Sequence, residues 1–344
     1  MNFGIVPETA LERVALWLGL VPIPIVDLLF GSLKVRVIMA GVRLGIFEAL
    51  RDKSRTSADL AEALRLDGSA LESLLRVLTH VKYLEAHDGR YRLSSLARRS
   101  MIAGAPMELT GYARWHSTQW EFLEHLETLV RTGAGVDLHQ TLERGQPWAD
   151  YQRAMLEASR FDVPALVRLV PIPEGATRLI DIGGGHGLLG AEICRKHPPM
   201  RSTVIDLPQA IEHGRTLANH LGFAELVDYQ AGDVRHDQFE EADAALLANV
   251  LHHLSPSEIP DLLCRVHTAL RPSGTIAIWE LEAPGHESHP THGDLAALFF
   301  RLMSKSEAYH GTQYANWLTA AGFRAVRVLR PWRSQGRVLV LGRA

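Results

Sequence analysis

Leu179-Ile-Asp-Ile-Gly-Gly-Gly-His-Gly-Leu-Leu-Gly190 decides the fold. Ile180 and Ile182 flank Asp181 in an apolar run, and Leu188, Ala191 and Ile193 then recur at helical spacing. A strand that ends in a glycine turn and continues as a helix is one half of a nucleotide-binding α/β unit. Gly183, Gly185 and Gly187 lack Cβ atoms, so the turn can be tight and a ligand can approach the N–H groups at the helix N-terminus. Turns of this kind serve several cofactors, so the run defines the architecture before it defines the ligand.

Downstream, β-rich runs alternate with helical ones at Arg178–Ile182, Ser202–Leu207, Leu226–Gln230, Ala242–Val250 and Thr275–Glu280. The alternation predicts a parallel, Rossmann-like α/β sheet with helices on both faces. Ala325–Arg330 and Val338–Gly342 are too close in sequence for a crossover helix and must pair antiparallel. A parallel sheet closed in this way is how class I S-adenosylmethionine (SAM) methyltransferases end, whereas dinucleotide-binding domains end in parallel strands.

The acidic residues can be tested against that idea. Asp206 ends the second strand at the spacing where such folds hydrogen-bond a ribose, and Leu207 follows it to lie against an adenine. Gly232-Asp233-Val234 ends the third strand and offers a carboxylate to the adenine amino group. Each acid taken singly serves equally well as a helix cap. SAM carries a sulfonium and an ammonium but no phosphate, so a site lined by Asp181, Asp206 and Asp233 without Lys or Arg suits it better than NADP. These residues alone leave NAD, and with it an oxidoreductase, open.

The N-terminal third has a different pattern. Val35 to Leu50 is apolar at helical spacing with Gly45 as its weak point. Thr56-Ser-Ala-Asp59 and Ser69-Ala-Leu-Glu72 each read as a capping box before an apolar helix. Tyr83 to Leu93 alternates around Asp88-Gly89, the signal of a tight hairpin. Three helices and a hairpin make a winged helix. Arg76 and Lys82 are the only cations of its third helix, too few to neutralise phosphates, so an interaction module is expected rather than a DNA reader. A winged-helix regulator sensing a metabolite is the rival of a different class.

The apolar stretch Ala15 to Phe30 is interrupted by Pro22, Pro24 and Asp27 and preceded by Glu8 and Glu12. It is therefore expected as short helices buried against another subunit, not as a signal or membrane segment. Between Ala103 and Val170 the pattern is helical, and Trp115, His116, Trp120, Met155 and Phe161 are expected to roof a pocket above the glycine loop. The domain reading is 1–105 for dimerisation, 106–172 for a helical connector and 173–344 for cofactor binding. A chain of 344 residues has room for two domains, and 47% hydrophobic content excludes disorder. A net charge of -3 gives no reason to bind nucleic acid or anionic lipid. Cys194 and Cys264, the only two cysteines, read as core residues of a cytoplasmic protein.

Asp181-Ile-Gly-Gly-Gly-His-Gly187, Ile205-Asp-Leu-Pro208, Gly232-Asp233 and Asn249-Val-Leu-His-His-Leu-Ser255, behind a winged helix, together resemble the caffeate/hydroxyindole-type small-molecule O-methyltransferases. The resemblance runs from about Leu29 to the end of the chain. It implies a homodimer and SAM bound by Gly183, Gly185, Asp206 and Asp233, with Asp181, Leu207, Gly232, Val234 and Asn249 of the same motifs beside them. Where plant members anchor the SAM carboxylate with Lys this chain has Ala248, so that contact comes from elsewhere.

The strand through Ala248 delivers His252 and His253 to its carboxyl end, where a neutral imidazole can take a proton from a substrate hydroxyl. The family's base corresponds to His252, with His253 supporting. Ile278-Trp-Glu280 matches the carboxylate that orients the base, and Glu282 falls on the same side of the strand. Where a second acid is usual, His310-Gly-Thr-Gln313 stands instead. That departure keeps N- or C-methylation open beside O-methylation. Phe299, Phe300 and Met303 are expected to touch the acceptor. His286, His289 and His292 could suggest a metal with His252 and His253, but Pro290 breaks their spacing and no metal is expected.

Overall fold

The computed structural model describes residues 7, 9–143, 148–283, 292–304, 307–334 and 336–344. The chain divides into two compact units, the first ending at Ser117 and the second beginning at Thr118.

In the first unit, Thr9 and Glu12 form a capping box at the start of α1 (Ala10–Trp17). A short α2 (Ile23–Ile25) and a π-helical turn (Val26–Gly31) then lead into α3 (Ser32–Arg43). Leu11, Trp17, Leu20 and Leu28 are exposed along this segment. The helix expected over Val35–Leu50 is broken: Gly45 takes φ +73, and α4 (Ile46–Ala49) starts afresh. The break turns the Phe47 ring back onto Gly41, 2.7 Å from where a Cβ would stand, so a continuous helix would lose this packing.

β1 (Arg55–Thr56) and α5 (Ser57–Leu64) follow, with the Thr56–Asp59 capping box formed. Ser69 is not the cap of α6 (Gly68–His80). Asp67 takes that place, accepting from the Ala70 N–H at 2.8 Å, while Glu72 turns to the Tyr91 hydroxyl at 2.7 Å. β2 (Leu84–His87) and β3 (Arg90–Leu93) form the hairpin, and Asp88 (φ +48) and Gly89 (φ +69) both take the left-handed conformation of a two-residue turn. β1 pairs with β3 to complete the wing. After α7 (Ser95–Ser100), α8 (Thr110–Leu123) contains the division between units.

The second unit opens with α9 (Leu126–Thr132), α10 (Leu138–Glu143), α11 (Trp148–Ser159) and α12 (Val163–Leu169). It continues as β4 (Arg178–Ile182), α13 (Leu188–Lys196), β5 (Arg201–Asp206), α14 (Pro208–Leu221), β6 (Val227–Ala231) and β7 (Ala242–Ala248). α15 (Ile259–Ala269), β8 (Leu270–Leu281), α16 (His292–Ser304), α17 (Gly311–Ala320), β9 (Arg324–Leu329) and β10 (Arg337–Arg343) complete it. The strand order is β6-β5-β4-β7-β8-β10-β9, parallel from β6 to β8, with β10 antiparallel to both its neighbours. Alternation along the strands sends Ile182, Leu247, Ile278 and Val338 into one core, and Leu179, Leu246, Trp279 and Leu339 into the core on the opposite face. Cys194 is buried in the second core, but Cys264 is exposed on α15 and contributes nothing to either. Among the described residues no helix is long and apolar enough to cross a membrane.

The glycine loop is packed from behind. α14 comes so close that a Cβ on Gly214 would stand 2.4 Å from the Gly185 carbonyl oxygen. His186 is buried, and its Nδ1 accepts the Leu188 N–H at 3.1 Å, so the ring proton sits on Nε2, 3.2 Å from Ser159 Oγ of α11. Burial pushes this imidazole down to about 4. Below the ordinary value near 6.5 the unfolded chain takes up a proton that the folded chain refuses, so this residue's contribution to stability falls as pH drops from about 6.5 toward 4. His186→Asn keeps an acceptor for Leu188 without the titration. Between pH 7 and 4.5 the wild type should lose about 2–3 kcal/mol more than this variant in urea unfolding.

Candidate active site

The cofactor side is built where β4 and β5 end. Gly183, Gly185 and Gly187 have φ of +67, +50 and +76, a sequence of turns closed to most side chains. The Gly185 N–H donates to Asp206 Oδ2 at 2.8 Å and the Leu207 N–H to Oδ1 at 2.7 Å. Each carboxylate oxygen keeps a second lone pair for a ligand hydroxyl. Desolvation pushes Asp206 up to about 6.

Asp181 lies beneath the loop. It is 2% exposed, its carboxylate carbon is 2.5 Å from where a Cβ on Gly184 would stand, and burial pushes it up to about 7. Just past β6, the Gly232 N–H donates to the Asp206 carbonyl at 2.9 Å, and Asp233 Oδ1 accepts the Arg235 N–H at 2.9 Å. Val234 packs against the first core. On α11 the amide of Gln152 packs over Gly185, and among the described residues its buried Oε1 has no hydrogen-bond partner. This set is rich in acceptors, and among the described residues Asp206 is held by backbone N–H groups, which fits the hydroxyls and cationic groups of SAM better than a pyrophosphate.

The other side grows from the end of β7. Asn249 takes φ +57, and after it the chain enters a 3-10 turn, Leu251–His253. The N–H groups of Val250 and Leu251 both donate to Glu280 Oε1, at 2.8 and 2.7 Å. His252 Nδ1 lies 2.7 Å from Glu280 Oε2. A carboxylate only accepts, so Nδ1 carries the proton and Nε2 presents its lone pair. His252 is 4% exposed and Glu280 fully buried. The Phe300 ring stacks on His252 at 4.1 Å and 25°, and the His253 ring lies 4.2 Å away on the same turn.

Glu282 is engaged elsewhere. Arg330 grips it at 2.6 Å through two nitrogens, and it also accepts the Gly311 N–H at 2.9 Å and lies 3.4 Å from His310. His310 and Gln313, in place of a second acid, form the capping box of α17.

On α16, Phe299 is half-buried beside Phe300 and Met303 is buried; Met155 and Trp120 are half-buried in the same unit. Trp115 is buried and His116 half-buried within the first unit. Phe161 is 48% exposed. His286 and His289 fall outside the described residues, among which no cluster of His, Cys, Asp and Glu suits a metal ion. Sequence reasoning passed over His186, Gln152 and a partly buried ion pair at 2.7 Å between Asp162 and Arg337, whose guanidinium also donates to Asn249 Oδ1. The first stands inside the quoted motif, but nothing local marks the others.

Residues 127–324 match the O-methyltransferase domain, and residues 26–102 match the O-methyltransferase dimerisation domain. The chain is 29% identical over 316 residues to a 3-hydroxy-5-methyl-1-naphthoate 3-O-methyltransferase of Streptomyces sahachiroi, covering 90% of this chain and 91% of that one. It is 28% identical over 258 residues to the N,N-dimethyltransferase OxyT of Streptomyces rimosus, covering 72% and 75%. The crystal structure of human N-acetylserotonin methyltransferase in complex with SAM shares the fold, with a TM-score of 0.82 over 98% of this chain and 99% of that one at 23% identity. With both family domains in place and a site suited to the cofactor, the chain belongs to the O-methyltransferase family and is a SAM-dependent O-methyltransferase.

Proposed function

We propose that the acceptor is a hydroxyl on a small aromatic molecule, with His252 as general base and Glu280 as the group that orients it. The observation carrying this reading is the buried 2.7 Å contact between His252 Nδ1 and Glu280, which leaves Nε2 as the proton acceptor. SAM, when bound, supplies an electrophilic methyl group, and a hydroxyl becomes a competent nucleophile as it loses its proton. His252 takes that proton at Nε2, and the adjacent Glu280 carboxylate stabilises the resulting imidazolium. Phe299, Phe300, Met303 and Met155 supply apolar surface that excludes water and suits a flat ring. His253, on the same turn, supports the base.

Asp206 and the loop through Gly183 and Gly185 hold the nucleoside; Leu207, Gly232, Asp233 and Val234 bound the adenine side, and Asn249 stands at the amino-acid end. The likeness to OxyT makes an amine acceptor the second reading. A neutral amine already presents a lone pair, so a buried base paired with a fully buried orienter favours the hydroxyl. The exposed apolar residues of α1 through the π-helical turn, together with the dimerisation domain, support a homodimer. In that division of labour residues 1–105 dimerise, 106–172 contribute to the acceptor pocket, and 173–344 bind the cofactor.

His252→Ala should lower kcat by about 10²–10⁴-fold toward phenolic acceptors while SAM affinity by calorimetry stays within about threefold. Full turnover in the variant would remove the base assignment. Asp206→Ala should weaken SAM binding at least about tenfold, roughly 1.4 kcal/mol. Asp206 titrates near 6, and protonation removes acceptor capacity, so wild-type affinity should fall as pH is lowered from 7.5 to 5.5 and that fall should vanish in the variant.

A further inference from the structure

Asn249 is not a glycine, yet it holds φ +57, a conformation that L residues avoid and asparagine tolerates best. Its own N–H is bonded to the Trp279 carbonyl at 2.9 Å, so the turn begins at a fixed point on β8. The next two N–H groups are the pair that holds Glu280 Oε1. With Asn249 in an extended conformation the following peptides would rotate, and the two amides could not converge on one oxygen.

The side chain of Asn249 is held from the opposite face of the sheet. Arg337, the first residue of β10, donates from one terminal nitrogen to Asn249 Oδ1 and from the other to Asp162 Oδ2 at 2.7 Å. Its guanidinium lies over the Trp279 ring at 5.8 Å. Asp162 is buried and directly precedes α12. Arg337 pairs with Leu281 and Val338 with Glu280, so the strand that carries the arginine is registered against the one that carries the orienting carboxylate.

We propose that Arg337, itself fixed by Asp162, is a positioning residue for the methyl transfer: it pins Asn249 in the left-handed conformation that aims the Val250 and Leu251 amides at Glu280 and so sets His252. This rests on the reading of His252 as the base. The chain of contacts is continuous from Asp162 through Arg337, Asn249 and the two amides to Glu280 and His252.

The test uses Arg337→Gln, Asn249→Ala and Asn249→Asp in the full chain. Asn249→Ala leaves the Arg337–Asp162 pair intact and so serves if Arg337→Gln fails to fold. Both should lower kcat at saturating SAM about ten- to a hundredfold, with acceptor KM within about threefold and, in Arg337→Gln, SAM affinity by calorimetry within about threefold. The far-downfield proton resonance of His252 Nδ1–H, assigned by its absence in His252→Ala, should broaden or disappear. Asn249→Asp, which tolerates the conformation and keeps an acceptor for Arg337, should recover most of kcat and the resonance. An unchanged kcat and resonance in folded Asn249→Ala would overturn the proposal. So would a tenfold or greater loss of SAM affinity in Arg337→Gln with kcat at saturation preserved, which would assign Arg337 to the cofactor instead. Retained turnover in His252→Ala would defeat the base reading separately, and the resonance would still report whether Arg337 sets the His252–Glu280 contact.

Discussion

Glu280 is a carboxylate with no solvent exposure, and the site depends on how its charge is met. Taking such a group out of water is costly unless its lone pairs are filled. Here two main-chain amides fill one oxygen and an imidazole N–H the other. The donors come from the turn after β7 and the acceptor from the end of β8, so satisfying the buried charge and fixing the histidine tautomer are one event. Any shift of β7 against β8 would break all three bonds together.

The cofactor side works by the opposite arrangement. Asp181 and Asp206 are pushed up to about 7 and 6 by desolvation, and the protein provides backbone N–H groups rather than cations to Asp206. A cationic group brought to Asp206 would meet a carboxylate short of counter-charge, and its binding would favour the ionised form. Behind the loop His186 stays neutral, and Gly214 lets α14 close over it. The cradle is thus assembled from main chain and buried neutral groups.

Much of this was legible. Apolar runs gave most strands of the large sheet within a residue or two, because buried parallel strands tolerate little else, but β8 begins at Leu270, ahead of the expected Thr275. The Asp88-Gly89 hairpin and the glycine loop were readable since few residues other than glycine, asparagine and aspartate adopt positive φ. His252 and Glu280 were found through family motifs that sit on those strands. The failures have physical causes. Gly45 broke a helix because Phe47 packed better turned back on Gly41, a tertiary choice no periodicity encodes. Ser69 lost the cap to Asp67 two residues earlier, since both offer a side-chain oxygen and only the packing of α6 selects between them. Cys264 faces outward from α15, where the apolar stripe of Leu262, Leu263 and Val266 points inward.

The closing hairpin carries a consequence beyond ending the sheet. In β4, β5, β7 and β8 only the last residues reach the edge where ligands bind, and these are the positions sequence motifs describe. β10 runs the other way, so its first residue, Arg337, arrives at that same edge. A parallel strand in its place would bring its first residue to the far edge of the sheet. The reversal places a cation beside Trp279 and next to the turn that holds Glu280, from the face opposite the imidazole. Asp162 and Asn249 are 175 and 88 residues away from Arg337 in the chain, so the contact has no local signature. It follows instead from strand direction and register, the two features of the fold that sequence motifs express least.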